Sequence, residues 1–269
     1  MKGRKILFIN QEITPYVAEN EMSLIGRNLP RIMQERGCEI RTFMPKWGGI
    51  NERRGQLHEV IRLSRMMLII NDMDHPLIIK VASIPVARVQ VYFTDNDDYF
   101  GKEQPASGSV GDDGTENGER AVFFARGVLE TVKKLRWIPD IIHCSGWIGG
   151  IVPLYVKTAY KDEPSFTSAK VITSLYGGLP QGSLGGDFKK CVEFRSAKAK
   201  LLGKYKQPFS YEELEKLAID YSDGIVTVGN IGGELAEYAA EKGLPVMRHE
   251  EDDNTGGAYE AFYERVLGV

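Results

Sequence analysis

Apolar residues recur along this chain with two alternating periods, and the alternation predicts a layered fold. Ile6-Leu7-Phe8-Ile9 is an apolar run of strand length, after which Met22, Ile25, Leu29, Ile32 and Met33 recur on one helical face. Gly37 stands where that helix should stop, and residues 39–44 read as the next strand before Pro45. A right-handed βαβ unit is therefore expected by residue 45. From Val60 to Thr94 the pattern shifts to short β-rich runs at residues 67–70, 77–81 and 86–93, which predicts a meander ending on a core strand. Residues 102–118 are polar and glycine-containing without periodicity, and are expected to form a flexible surface loop.

A helix follows, with Ala121, Phe124, Val128, Val132 and Leu135 on its buried face. Then come a strand at 139–143, a helix at 147–160 and a strand at 170–174. Glycine-rich punctuation at 177–186 precedes a helix at 211–221 and a last clear strand at 224–228. Helices through Leu235 and Ala239, and through Tyr259, Phe262, Tyr263 and Val266, close the pattern. Strands alternating with helices predict an α/β fold: one doubly wound, mainly parallel, Rossmann-like sheet. The strands at Ile6 and Ile141 should be central, and the whole of 1–269 is read as one domain without internal repeats.

Composition narrows the function. A chain of 269 residues with 42% hydrophobic residues can bury one large core. The net charge is −3, with lysine and arginine interspersed among acids, so no basic stripe for nucleic acid is expected. The start, Met1 to Lys5, carries no signal-peptide pattern, and no window approaches the ~18 apolar residues of a membrane span. A soluble cytoplasmic protein without membrane contact is the expectation. Cys38, Cys144 and Cys191 are odd in number and far apart, which argues against disulfides and a zinc site, and no cofactor or metal is expected. Glu12, Glu19 and Glu21 come nearest to paired carboxylates, but spacing along a loop does not fix two acids at a set separation. The Gly177-Gly178 and Gly185-Gly186 pairs lack the strand-to-helix context of a phosphate loop and are read as turns.

Several stretches together resemble the N-terminal, acceptor-side domain of bacterial ADP-glucose-type glycogen and starch synthases, retaining glycosyltransferases of two Rossmann-like domains (the GT-B fold). Gln11-Glu12-Ile13-Thr14-Pro15 stands where that family has Ser-Glu-x-x-Pro, and Leu29-Pro30 matches its Leu-Pro. Asp140-Ile141-Ile142-His143-Cys144-Ser145-Gly146-Trp147 stands for Asp-Val-Val-His-Ala-His-Asp-Trp. Gly150-Ile151-Val152-Pro153-Leu154-Tyr155 is similar to its Gly-Leu-Val-Pro-Leu-Tyr, and residues 221–228 to its Tyr-Ala-Asp-x-Ile-Thr-Thr-Val. The resemblance covers nearly the whole chain and implies one half of a GT-B fold.

The departures fall on the residues that handle sugar and phosphate in the family. Its Lys-Thr-Gly-Gly-Leu loop brings an ammonium and bare backbone to a diphosphate, and here the same positions read Ala18-Glu19-Asn20-Glu21-Met22. The motif's second histidine is Ser145 and the following acid is Gly146. A later Thr-x-His-Asn reads Thr173-Ser174-Leu175-Tyr176. The sequence also stops where a synthase would enter its second Rossmann domain. The resemblance thus implies a degenerate acceptor-side half, with no residue assigned a catalytic role and activity left open. One reading is a non-catalytic glucan-binding or regulatory protein of glycogen metabolism, with an α-glucan or maltooligosaccharide as ligand or a glycogen-metabolism protein as partner. Another is one subunit of a two-chain ADP-glucose-dependent glycogen synthase, and a third is an enzyme of changed chemistry using His143 and the first-loop acids. Candidate binding residues at the sheet edge are Asn10, Gln11, Glu12, Tyr16, Trp47, Tyr99, Phe100, His143, Trp147 and Tyr176, because pyranose faces pack on aromatics while amides and acids take hydroxyls. For each aromatic taken singly, core or surface packing is the favoured use.

Overall fold

The computed structural model describes residues 1–85, 88–101, 117–250 and 255–269. Its strands are β1 (Lys5–Asn10), β2 (Glu39–Pro45), β3 (His58–Glu59), β4 (Met66–Ile70), β5 (Met73–Ile84), β6 (Val89–Asp95), β7 (Ile141–Ser145), β8 (Lys170–Tyr176), β9 (Gly224–Val228) and β10 (Val246–Arg248). They run in the order β10-β9-β8-β7-β1-β2-β6-β5-β3, with β4 paired to β5. The seven strands from β10 to β6 are mutually parallel, and β5, β3 and β4 are added antiparallel. The expected α/β architecture is therefore present, with β1 in the middle and β7 beside it.

Side-chain alternation within β1 builds both faces of the sheet. Leu7 and Ile9 enter one core with Phe43, Ile142, Cys144 and the helices Asn117–Lys134 and Tyr211–Asp220. Ile6 and Phe8 enter the other with Ile25, Leu29 and Met33 of the helix Glu21–Glu35 and with Tyr259, Phe262 and Tyr263 of the helix Gly257–Leu267. A parallel strand covered on both faces must be apolar at every position, which is why β1 reads as an unbroken apolar run. Each such side chain taken out of water contributes ~1.5–3 kcal/mol. The helix Glu21–Glu35 begins on a capping box, in which the Asn20 side chain accepts from Ser23 N at 2.8 Å and Ser23 Oγ accepts from Asn20 N at 2.9 Å. One turn in, Gly26 lets this helix lie on the loop after β1, since a Cβ there would come within 2.4 Å of the Glu12 carbonyl oxygen.

Four expectations change. The helix foreseen over 147–160 is a 3-10 turn, Trp147–Gly149, followed by a separate short helix, Val152–Lys157. The glycines at 149 and 150 and a proline at 153, which has no N–H to give, break the run into two. A strand after 224–228 was not foreseen, yet Val246–Arg248 adds an edge strand. Most of the loop expected over 102–118 lies outside the described residues, but Asn117 and Gly118 belong to a helix, anchored by Asn117 Nδ2 donating to the Tyr211 hydroxyl at 2.6 Å and Gly118 N donating to Leu184 O at 3.0 Å. The strand foreseen at 86–93 is described only from Val89 and continues to Asp95.

Candidate functional site

The parallel register sets Asn10, Ser145 and Ser174 side by side at the C-terminal ends of β1, β7 and β8. Ligand crevices of open α/β sheets form beyond such ends. Here the chain leaves β1 through Gln11, whose N–H donates to Ser145 O at 3.1 Å, and leaves β7 through Gly146 at φ 82°. Between these exits, the segment after β8 and the N-terminus of the helix Glu21–Glu35 lies a cleft of about 380 Å3. Gln11, Glu12, Trp147 and Tyr176 wall it, as do Asn20, Glu21 and Glu215. Three carboxylates and no Lys, Arg or His belong to that wall among the described residues.

Four of the ten residues singled out in sequence thus meet at one cleft. Asn10 lies buried at the adjoining end of β1, its Nδ2 without a partner. His143 lies two residues inside β7, where its Nδ1 meets the Tyr263 hydroxyl and its Nε2 meets Ser174 Oγ, both at 2.7 Å. Burial pulls the imidazole down to about 3, so it is neutral and fully engaged. The other four aromatics face elsewhere. Trp47 is buried edge-on against Phe100 and donates Nε1–H to Gln11 O at 2.8 Å, which props the loop after β1 without exposing a ring face. Phe100 is fully buried, and the Tyr99 hydroxyl is held by His75 Nε2 at 3.1 Å and Glu119 Oε2 at 3.0 Å. Tyr16 sits edge-on to Phe93 at 4.8 Å, its hydroxyl pushed up to about 12 by burial.

Within the cleft, burial lifts the Glu12 carboxyl above the ordinary range, against hydrogen bonds from Asn20 Nδ2 at 2.5 Å and Gln11 Nε2 at 3.4 Å. Trp147 packs edge-on against Tyr211 at 5.5 Å, with its Nε1 lacking a partner. Tyr176 lies beside Ser145, and burial raises its hydroxyl. Glu215 is the functional candidate that sequence reasoning passed over. It stands on the helix Tyr211–Asp220, which Ser210 caps, and burial drives its carboxyl to about 8, with a backbone hydrogen bond from Tyr176 working the other way and nearby Glu212 adding to the rise. A signal was available: Glu215 follows Tyr211 by four residues and so falls in the helix's apolar stripe.

Gly146 and Gln11 share one volume. A Cβ on Gly146 would lie 2.5 Å from Gln11 Oε1 and 2.6 Å from Gln11 Cβ, so the amide occupies the space that a side chain at 146 would need. The position where the resembling family carries an acid is therefore filled by a neutral amide from the neighbouring strand exit.

The fold agrees with what comparison with known proteins shows. Residues 5–241 match the family described as starch synthase catalytic domain, and the chain belongs to that family. Glycogen synthases of Chlorobium luteolum and Chlorobium limicola are 35% and 37% identical to it over 184 and 182 residues. These matches cover 68% and 67% of this chain but only 38% and 37% of the relatives, so the chain spans little more than a third of their length. The catalytic domain of starch synthase IV from Arabidopsis thaliana, solved with ADP and acarbose bound, superposes with a TM-score of 0.71 at 16% identity, over 92% of this chain and 52% of that one. That likeness establishes the fold, half of a GT-B architecture. Among the described residues no helix is long and apolar enough to cross a membrane, and no group of three His, Cys, Asp or Glu could hold a metal.

Proposed function

We propose that this domain serves glycogen metabolism as a glucan-binding or regulatory protein of the cytoplasm and transfers no glucose itself. The observation that carries the reading is the acidity of the cleft: Glu12, Glu21 and Glu215 wall it, Glu215 protonated up to about 8, and no cation belongs to the wall among the described residues. At an effective dielectric near 20, a phosphate charge about 6 Å from a carboxylate is disfavoured by ~3 kcal/mol, and a diphosphate meets that repulsion more than once. Positions 18–22, where the resembling family brings a lysine and glycines, supply Glu21 to the cleft wall, and position 145 supplies a serine in place of a histidine. Hydroxyl-rich neutral ligands meet no such penalty, and Gln11, Trp147 and Tyr176 offer them an amide, an indole N–H and a phenol.

Two measurements test this. Radiolabelled ADP-glucose incubated with the protein and glycogen should leave no label on the polymer above a heat-killed control, and label above control would refute the non-transferring reading. Maltoheptaose should shift tryptophan fluorescence with a dissociation constant on the order of millimolar, as an open sugar site gains little beyond the cost of ordering its ligand. The shift should weaken in a folded Trp147→Ala variant, and no saturable shift in the wild type would leave protein partnership as the reading.

A further inference from the structure

Four side chains on the wall of the cleft carry polar atoms that nothing among the described residues satisfies. Gln11 and Tyr176 are 6% exposed, Trp147 3% and Glu215 5%, and Gln11 Oε1, Trp147 Nε1, the Tyr176 hydroxyl and Glu215 Oε2 each lack a hydrogen-bond partner. A buried polar atom without a partner is disfavoured, and four gathered at one cleft mark a place built for a ligand. Gln11 Oε1 is an acceptor and Trp147 Nε1 a donor, while the Tyr176 hydroxyl and the Glu215 carboxyl, protonated up to about 8, can act as either. Around them stand Glu12, buried and bonded only to the neutral amides of Asn20 and Gln11, and Glu21 at the exposed rim. The wall therefore offers more acceptors than donors and negative charge without a counter-charge.

We infer that the cleft takes a hydroxylated ligand bearing a protonated amine, an aminosugar or aminopolyol, with the ammonium seated among Glu12, Glu21 and Glu215 and the hydroxyls meeting Gln11 and Trp147. An ammonium brings three donors and no acceptor, which fits a site with surplus acceptors. It also supplies the opposite charge that favours the ionised form of a buried carboxyl, so Glu215 gives its proton to solvent as the amine binds. The assignment rests on the reading of this cleft as a sugar site and adds the charge its ligand carries.

Calorimetry at about pH 6 with glucosamine, glucose, glucose 1-phosphate and maltoheptaose separates the two readings. Glucosamine should bind about tenfold tighter than glucose, the ratio expected for one ammonium near partly solvated carboxylates, and glucose 1-phosphate should bind weaker than glucose. Glu21→Gln, at an exposed position in the first turn of its helix, should narrow the glucosamine preference about threefold, and Glu12→Gln should abolish it. Equal affinities for glucosamine and glucose, or a preference for glucose 1-phosphate, would overturn the amine assignment while leaving the glucan reading in place. Absence of binding by all four ligands would remove both. A glucosamine preference unchanged in Glu12→Gln and Glu21→Gln would place the amine elsewhere and overturn this seat.

Discussion

His143 and Glu215 are both ionisable side chains stripped of their charge by burial, yet the protein treats them in opposite ways. His143, inside β7, has both ring nitrogens within 2.7 Å of a hydroxyl. Glu215, on the cleft wall, keeps one oxygen without a partner. Burial moves the first down to about 3 and the second up to about 8. A shifted titration therefore does not mark a site by itself: one of these groups is a strut between β7, β8 and the closing helix, and the other leaves bonding capacity facing a cleft.

The largest expected effect comes from breaking the strut. His143→Ala leaves the Tyr263 and Ser174 hydroxyls buried without their partner and opens a cavity, so we expect a loss of ~4 kcal/mol in urea unfolding. A loss below ~1 kcal/mol would show that the region repacks as freely as a surface and would dissolve the contrast with Glu215.

The pH dependence of stability sharpens the comparison, because the two groups act with opposite sign. Folded His143 refuses a proton down to about 3, whereas the unfolded chain accepts one near 6.5, so its contribution to stability falls as pH drops through that interval. Folded Glu215 keeps its proton up to about 8, whereas the unfolded chain releases it near 4.5, so stability falls as pH rises between those values. The limiting slope of either arm is ~1.4 kcal/mol per pH unit. Glu215→Gln should flatten the alkaline arm, giving a gain on the order of 4–5 kcal/mol at pH 8 and almost none near pH 4.5. Thermal or urea unfolding across that range decides it, and parallel profiles for variant and wild type would mean that Glu215 is ionised in the folded protein.

A smaller effect is expected at the turn between β7 and Trp147. Gly146→Ala places a Cβ against Gln11 and forces a side chain onto a φ of 82°, for a loss of ~2 kcal/mol. If Gln11 swings away without cost, the loss shrinks to the dihedral strain alone, and the amide is held less firmly than the His143 ring.

Much of the fold could be read in the sequence because strands buried on both faces announce themselves. Ile6 to Ile9 and Ile141-Ile142 are apolar without alternation, and their central place followed from that. Boundaries were lost where local chemistry is ambiguous, as at Gly149-Gly150, where an apolar run conceals two short helical pieces. The site was less legible. Trp47 and Trp147 both follow strand ends, and nothing in their neighbours says that one turns its N–H to the Gln11 carbonyl while the other reaches the cleft. Glu215 was missed because a carboxylate on a helix ordinarily faces water. Its place four residues after Tyr211 put it in the apolar stripe all the same, and Tyr176 at the end of β8 reaches it with a backbone hydrogen bond.

The shared volume of Gln11 and Gly146 also constrains how this chain can change by descent. An acid cannot return to position 146 in one step, because the amide already fills its space and the backbone there favours glycine. Position 11 must first be shortened, a change that by itself yields only an emptier cleft. The two positions are therefore coupled: a long side chain at 11 bars any side chain from 146.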